Sequence, residues 1–330
     1  MRIPTRHHHP DGERRDALVS HTDEEARRVA LPTLPTLLRE LVDVPPVDVP
    51  PGRWLDVPDR GRTWLTDVPG PEPSAPAVIL LHAVGCTGLL TWFPVVPELS
   101  RKYRVVVFDQ RWHGRGIVSE HFSIRDCADD VAAVADLLEL DAPVVAGYSM
   151  GSIVAQRCWR QHPRRFGGLV LAATTDHFRT TGREMVFHEG MELGMGALRT
   201  LSRSKTISVA ARATTEVLLN PSDTHEWALQ EWRSTSSWAV AQAVASLGRH
   251  HSTPWLASID IPTAVVVTTK DRVLAPDRQR GIAAQIPGAT VHEAPCGHAG
   301  CVLQAGAFLP ALLEAVDTTM GRRASVLASG

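Results

Sequence analysis

The chain has 330 residues, 44% of them hydrophobic, and a formal net charge of -2. That length and composition suffice for a large buried core. The balanced charge excludes the concentrated basic footprint of a nucleic-acid binder, and the cluster Arg157, Arg160, Arg164, Arg165 reads as the solvated end of a helix.

Five cysteines (Cys86, Cys127, Cys158, Cys296, Cys301) form a sparse, odd set with no disulfide framework. This suits a reducing compartment and leads to the expectation of a cytoplasmic protein. The spacing from Cys296 through His298 to Cys301 lacks the four ligands of a structural zinc site, so no metal is expected. Residues 1–16 are charged from the start and do not read as a secretory signal. No run reaches the roughly 18 apolar residues that a membrane-spanning helix needs.

Residues 1–51 read as an extension, partly helical or disordered. Its first 40 residues carry seven Arg and seven Asp or Glu, which argues against a basic arm. Helical patterns near DEEARRVA and LPTLLRELVD stop at Pro45, Pro46, Pro50 and Pro51, because proline blocks helix continuation. From Gly52 the rhythm changes. GRWLDV and GRTWLTDV predict an antiparallel hairpin, and apolar runs at 76–82, 103–109, 142–148, 167–174, 261–269 and 289–295 predict strands. Their Val, Ile, Leu and Ala content predicts burial on both faces, as in a mostly parallel sheet. Helices fall between them. One follows Ser123 with Asp126 in a capping-box pattern, one spans SMGSIVAQRCWRQH, and DRQRGIAAQI and AGAFLPALLEAV close the series. Strand signals fail between 176 and 256, a mainly helical stretch read as a cap inserted into a core of 52–175 and 257–320. Residues 321–330 read as a flexible tail.

Gly147-Tyr148-Ser149-Met150-Gly151 sits where the apolar run 142–148 meets a helix. A G-x-S-x-G string alone is weak, and a serine there can simply cap the helix. At a strand–turn–helix junction it has a mechanical reason: glycines let the flanking elements clear a strained serine whose hydroxyl stands above the sheet. Such a serine needs a base, and the base an acid, in the order Ser, Asp, His. Asp271 and His298 each lie just past a later strand. Asp176 is the rival acid, and His82 and His113, among fifteen histidines, are the rival bases. The glycine-bearing loop His82–Gly88 offers the backbone N–H of Val84 which, with that of Met150, would stabilise an oxyanion. Cys86 in this loop reads as pocket lining.

These segments resemble the α/β-hydrolase superfamily from about Gly52 to Val316. LLHAVG is similar to its oxyanion motif, FDQRWHGRG to its Asp-x-Arg-Gly-His-Gly-x-Ser turn, GYSMG to its nucleophile elbow, TTKDRVLAP to its acid loop and CGHAG to its histidine loop. The resemblance implies an α/β fold with a mostly parallel central sheet, helices on both faces and an inserted helical cap. It also implies a serine hydrolase needing no cofactor. Three departures stand out: Ala83 and Trp112 where the family has glycine, and Gly116 where it has serine.

The stretch EMVFHEGMELGMGAL, with Met185, Phe187, Met191 and Met195, suits an adaptable apolar pocket or, equally, packing of the cap on the core. Together with Cys86 and Tyr148 these residues are the candidate substrate contacts. The expected activity is cleavage of a carboxylic ester of a hydrophobic small molecule through an acyl-enzyme. Acyl transfer, thioester, lactone or C–C bond cleavage stays open, as does a non-hydrolytic receptor on the same fold. No nucleic acid and no membrane span is expected, and association into a homo-oligomer is left open.

Overall fold

The structure, a computed structural model, describes residues 49–178 and 224–329. The readings made within residues 1–48 and 179–223, the latter including Met185, Phe187, Met191 and Met195, lie outside them.

The predicted hairpin forms as β1 (Arg53–Val57) and β2 (Gly61–Val68), in antiparallel register from Arg53 opposite Leu65 to Val57 opposite Gly61. The chain then alternates. It runs through β3 (Ala77–Leu81), α1 (Gly88–Trp92), α2 (Val96–Leu99), β4 (Arg104–Phe108) and α3 (Ile124–Leu137). It continues with β5 (Val144–Tyr148), α4 (Met150–Gln161) and β6 (Gly168–Ala172), and after the undescribed stretch with α5 (Thr224–Arg233), α6 (Ser237–Leu247) and α7 (Thr253–Leu256). It closes with β7 (Thr263–Thr268), α8 (Pro276–Gln285), β8 (Thr290–Ala294), α9 (Gly300–Leu303) and α10 (Ala305–Ser329). The eight strands form one sheet in the order β1-β2-β4-β3-β5-β6-β7-β8. The β1–β2 and β2–β4 pairs are antiparallel and the other neighbours are parallel.

Alternation along each central strand divides the core. Ile79, Leu81 and Val145 pack on one face with α3, α4 and α8. Val78, Leu80, Val144, Ala146 and Tyr148 pack on the other with α1, α2 and α10. This two-sided burial explains the unbroken apolar runs. β3, β4 and β7 stop one residue short of those runs at their carboxyl ends, where His82, Asp109 and Thr269 turn out of the sheet into loops. β8 departs from the expectation of full burial. It pairs only with β7 and leaves Val291 and Glu293 exposed. The residues read as a tail, 321–330, continue α10 as far as Ser329, and Arg323 secures that extension by donating to the carbonyls of Asp141 and Ala142. No helix among the described residues is long and apolar enough to cross a membrane.

The Ser123 cap forms as its spacing predicts, with Oγ accepting from the Asp126 amide at 3.0 Å. One turn further, α3 carries Asp130, buried and gripped by two guanidinium groups. Arg111 donates to both its oxygens at 2.8 and 2.7 Å, and Arg60 donates at 2.6 Å. Removing one partner of a buried pair leaves uncompensated charge. Asp130→Ala is therefore expected to cost about 3–5 kcal/mol of stability, measured by urea denaturation. A loss below 1 kcal/mol, a surface-pair value, would contradict this role.

Candidate active site

β5 ends at Tyr148 and α4 begins at Met150, so Ser149 alone makes the turn, at φ 50° and ψ -113°. A non-glycine residue held there costs of order 1–3 kcal/mol, and its surroundings enforce it. Its amide donates to the Ala172 carbonyl of β6 at 3.0 Å. Gly147 and Gly151 let the first turn of α4 lie directly on the strands. A Cβ on Gly147 would strike the Gly151 carbonyl, and one on Gly151 would strike the Leu81 carbonyl. Ser149 is thereby raised to the start of a twelve-residue helix, where developing negative charge is favoured.

Three side chains from separate strand ends meet here. Ser149 Oγ lies 3.0 Å from His298 Nε2, and His298 Nδ1 lies 2.7 Å from Asp271 Oδ2. His298 is partly exposed, whereas the Asp271 side chain is fully buried. Asp271 Oδ1 accepts from the amides of Val273 and Leu274 at 2.8 and 2.9 Å, and Oδ2 accepts from Thr268 Oγ1 at 2.8 Å. Burial opposes its ionisation, but the His298 contact, the Leu274 amide and the Thr268 hydroxyl outweigh burial and hold the carboxyl below its usual range. A carboxylate so fixed selects the imidazole tautomer with its proton on Nδ1, which leaves Nε2 free to accept from the serine. Asp176, the rival acid, lies elsewhere: it pairs with His177 Nδ1 at 2.9 Å and accepts from Thr253 Oγ1 at 2.7 Å.

His82 and His113 are buried among backbone groups. His82 Nε2 accepts from the Gln110 amide at 2.8 Å, and Nδ1 faces the Ala83 carbonyl at 2.8 Å, so the ring links the loops after β3 and β4. Burial lowers His82 to about 4. Burial, and then the neighbouring His82, lowers His113 to about 3. Both remain neutral imidazoles.

Val84 sits half-buried in the loop between β3 and α1, and Met150 is the first residue of α4, where a helix amide has no carbonyl one turn back. Cys86 is half-buried in the same loop, its thiol pushed up to about 11 by burial despite a hydrogen bond with Thr91. Tyr148, a candidate substrate contact in the sequence, lies in the core. It is 1% exposed, its ring packs on Trp92 and Phe308, and its hydroxyl donates to the His298 carbonyl at 2.8 Å. It braces the histidine loop, and its β5 position points it into the core.

The departure at Trp112 keeps a glycine-like backbone without glycine. Its φ is 66°, and its indole offsets that strain by packing on Phe122 and donating to Ser119 at 3.1 Å. Gly116 has no room for a side chain, since a Cβ there would strike the Gln110 carbonyl. Among the described residues, no group of three or more His, Cys, Asp or Glu is arranged to hold a metal ion. The supports Thr268, Thr87, Arg115 and Glu231 escaped the sequence reading. Of these only Thr268, three residues before Asp271, carried a local signal.

Residues 76–304 match the alpha/beta hydrolase fold family, and the chain belongs to it. It is 26% identical over 215 residues to 3-oxoadipate enol-lactonase 1 of Acinetobacter baylyi, covering 65% of this chain and 78% of that one. It is also 26% identical to the pimeloyl-[acyl-carrier protein] methyl ester esterase of Chromobacterium violaceum, covering 74% of this chain and 95% of that one. Among solved structures, a hydrolase from Pseudomonas aeruginosa superposes with a TM-score of 0.64 at 24% identity, over 82% of this chain and 99% of that one. Eight-stranded topology, motif order and relatives define a hydrolase-fold protein with esterase and enol-lactonase kin.

Buried neutral histidines have a consequence for stability. His82, His113 and, 7% exposed beside Gln156, His250 are all lowered by burial from an ordinary 6.5, to about 4, 3 and 3. Above pH 6.5 each is neutral folded or unfolded. Below it the unfolded chain takes up protons that the folded protein refuses, so stability falls as pH drops from 6.5 toward 4. The limiting slope is about 1.4 kcal/mol per pH unit for each such histidine. Urea titrations at several pH values should show the decline, and His250→Gln should make it shallower. An unchanged slope in that variant would mean that His250 is not held neutral.

Proposed function

We propose that the protein is a serine hydrolase that cleaves the carboxylic ester of a hydrophobic small molecule through an acyl-enzyme intermediate. The supporting observation is the continuous hydrogen-bonded line from Ser149 Oγ to His298 Nε2 at 3.0 Å and from His298 Nδ1 to Asp271 at 2.7 Å. Ser149 attacks the ester carbonyl while His298 takes its proton. Asp271 holds the ring and stabilises the imidazolium. The amides of Val84 and Met150 receive the oxyanion. Collapse of the tetrahedral intermediate expels the alcohol, which leaves with the proton from His298. Water, deprotonated by the same ring, then releases the acid and restores Ser149.

The enol-lactonase relative favours one variant of this reading. A lactone is a cyclic ester, and the same steps would open it to a hydroxy acid without loss of a separate alcohol. Residues 176–256 are read as the cap over the site, and its methionine-rich stretch from Met185 to Met195, with Cys86 on the loop side, supports an apolar acyl group.

A fluorophosphonate probe is expected to label the wild-type protein at Ser149 and to leave Ser149→Ala unlabelled. Labelling that persists in the folded variant would sink the assignment. Asp271→Asn should lower kcat by about 10³–10⁴, whereas Asp176→Asn should stay within tenfold of the parent. Equal losses in the two would remove Asp271 as the acid. On p-nitrophenyl esters of increasing length, kcat/KM should rise from acetate to medium chains, and a flat profile would refute the apolar acyl site.

A further inference from the structure

We infer that Glu231 is a positioning residue for the oxyanion loop, holding the Val84 amide through the hydroxyl of Thr87. The inference rests on the serine-hydrolase reading and adds to it a residue from the stretch between β6 and β7.

The loop from Ala83 to Thr87 is anchored at both ends. At its start, Gln110 donates from its side chain to the His82 carbonyl at 2.9 Å, and the Ala83 amide donates to Thr91 Oγ1 at 3.3 Å. At its end, Thr87 caps α1, accepting from the Leu90 amide at 3.2 Å. Its hydroxyl proton goes to Glu231 Oε2 at 2.5 Å, across 144 residues of sequence. Arg115 joins the same group. Its Nη2 donates to both oxygens of Glu231, at 2.9 and 3.1 Å. Its amide donates to Asp109 Oδ2 at 2.9 Å, while Asp109 Oδ1 accepts from the Gly88 amide at 2.8 Å. Two residues past α5, Thr235 Oγ1 accepts from the Gly114 amide at 3.0 Å. Thr87, Asp109, Arg115 and Glu231 are all buried.

A purely structural role explains Glu231 poorly. Asp109 already lies 3.6 Å from Arg115 Nε and supplies a counter-charge. A second buried carboxylate leaves the trio net negative, and an apolar residue could seat α5 on the core as Trp227 and Ala228 do. What Glu231 adds is an acceptor that commits the Thr87 hydroxyl to one direction, three residues after Val84. That commitment matters to an oxyanion site, whose donors must stand about 2.7–3.1 Å from an oxygen present only in the transition state. Displacing the loop weakens transition-state binding and leaves ground-state binding alone.

The test measures kcat and KM on a p-nitrophenyl ester, and Ki for a trifluoromethyl ketone. The Ser149 hydroxyl adds to that ketone and gives a tetrahedral alkoxide, with the proton passing to His298. Whole loss of an oxyanion donor costs roughly 10²–10³, so a displaced donor is expected to cost about tenfold. Glu231→Gln and Thr87→Val should each lower kcat about tenfold with KM within twofold, and raise the ketone Ki by the same factor. Thr87→Ser, which keeps the hydroxyl, should recover most of the loss. The double variant E231Q/T87V should be no worse than the more damaging single one, since the two substitutions share the Thr87–Glu231 link. If E231Q does not fold, Thr87→Val against Thr87→Ser decides. An unchanged ketone Ki in folded variants overturns the inference, as does a rise in Ki matched by KM. A wild-type protein that neither turns over ester nor binds the ketone removes the serine-hydrolase reading itself.

Discussion

The first turn of α4 rests on the carboxyl end of β3, with Gly151 against the Leu81 carbonyl and nothing between them. That contact leaves Ser149 the only residue to reverse the chain and drives it to φ 50°. It also sets the distance between α4 and the loop that follows β3. The hydroxyl of Ser149, the start of a helix and the Val84 loop therefore share one neighbourhood because two backbones touch. A close-packed interior passes such a constraint on without slack. β5 lies between β3 and β6, so the turn is fixed on both sides, by the glycine contact on one and by the Ala172 carbonyl on the other.

Charge is buried here in two ways, and the number of donors decides which applies. Asp271 loses water entirely yet stays ionised, because two amides, a hydroxyl and an imidazole surround it. His82 has no anion partner among its hydrogen bonds, and burial keeps it neutral. The two states suit different tasks. A fixed carboxylate can hold and polarise a working imidazole, whereas a neutral ring that accepts at Nε2 and meets a carbonyl through Nδ1 acts as a rigid strut between two loops. Tyr148 is a second strut, tying the end of β5 to the backbone of His298.

Reaction and selectivity occupy different parts of the chain in the proposed scheme. The groups that break the bond stand at the carboxyl ends of β3, β5, β7 and β8, on the sheet's own scaffold. The segment between β6 and β7 sends Glu231 and Thr235 into the loops that follow β3 and β4. A stretch read as a cap is thus joined to the loops after β3 and β4 by buried hydrogen bonds. Under the proposed scheme, changes in that stretch would reach kcat as well as substrate choice.

Much of this was legible from residue order because the fold writes itself locally. A strand buried on both faces needs an unbroken apolar run, a one-residue elbow needs flanking glycines, and parallel strands deliver the residues after them to one edge. Those rules sufficed for the sheet and for bringing Ser149 and His298 to one edge, with Asp271 and Asp176 both open as the acid. Other assignments depended on direction and distance, which a linear string does not encode. Asp176 and Asp271 both follow strands, and only the packing of adjacent strand ends put Asp271 against His298. Tyr148 looked like a pocket residue until the alternation of β5 turned it inward. Trp112 carries a left-handed backbone that nothing in its own sequence announces. Glu231 is an ordinary helical glutamate in sequence. Its meaning arises from burial beside Thr87 and Arg115, because a hydrogen bond across 144 residues exists only once the chain has folded.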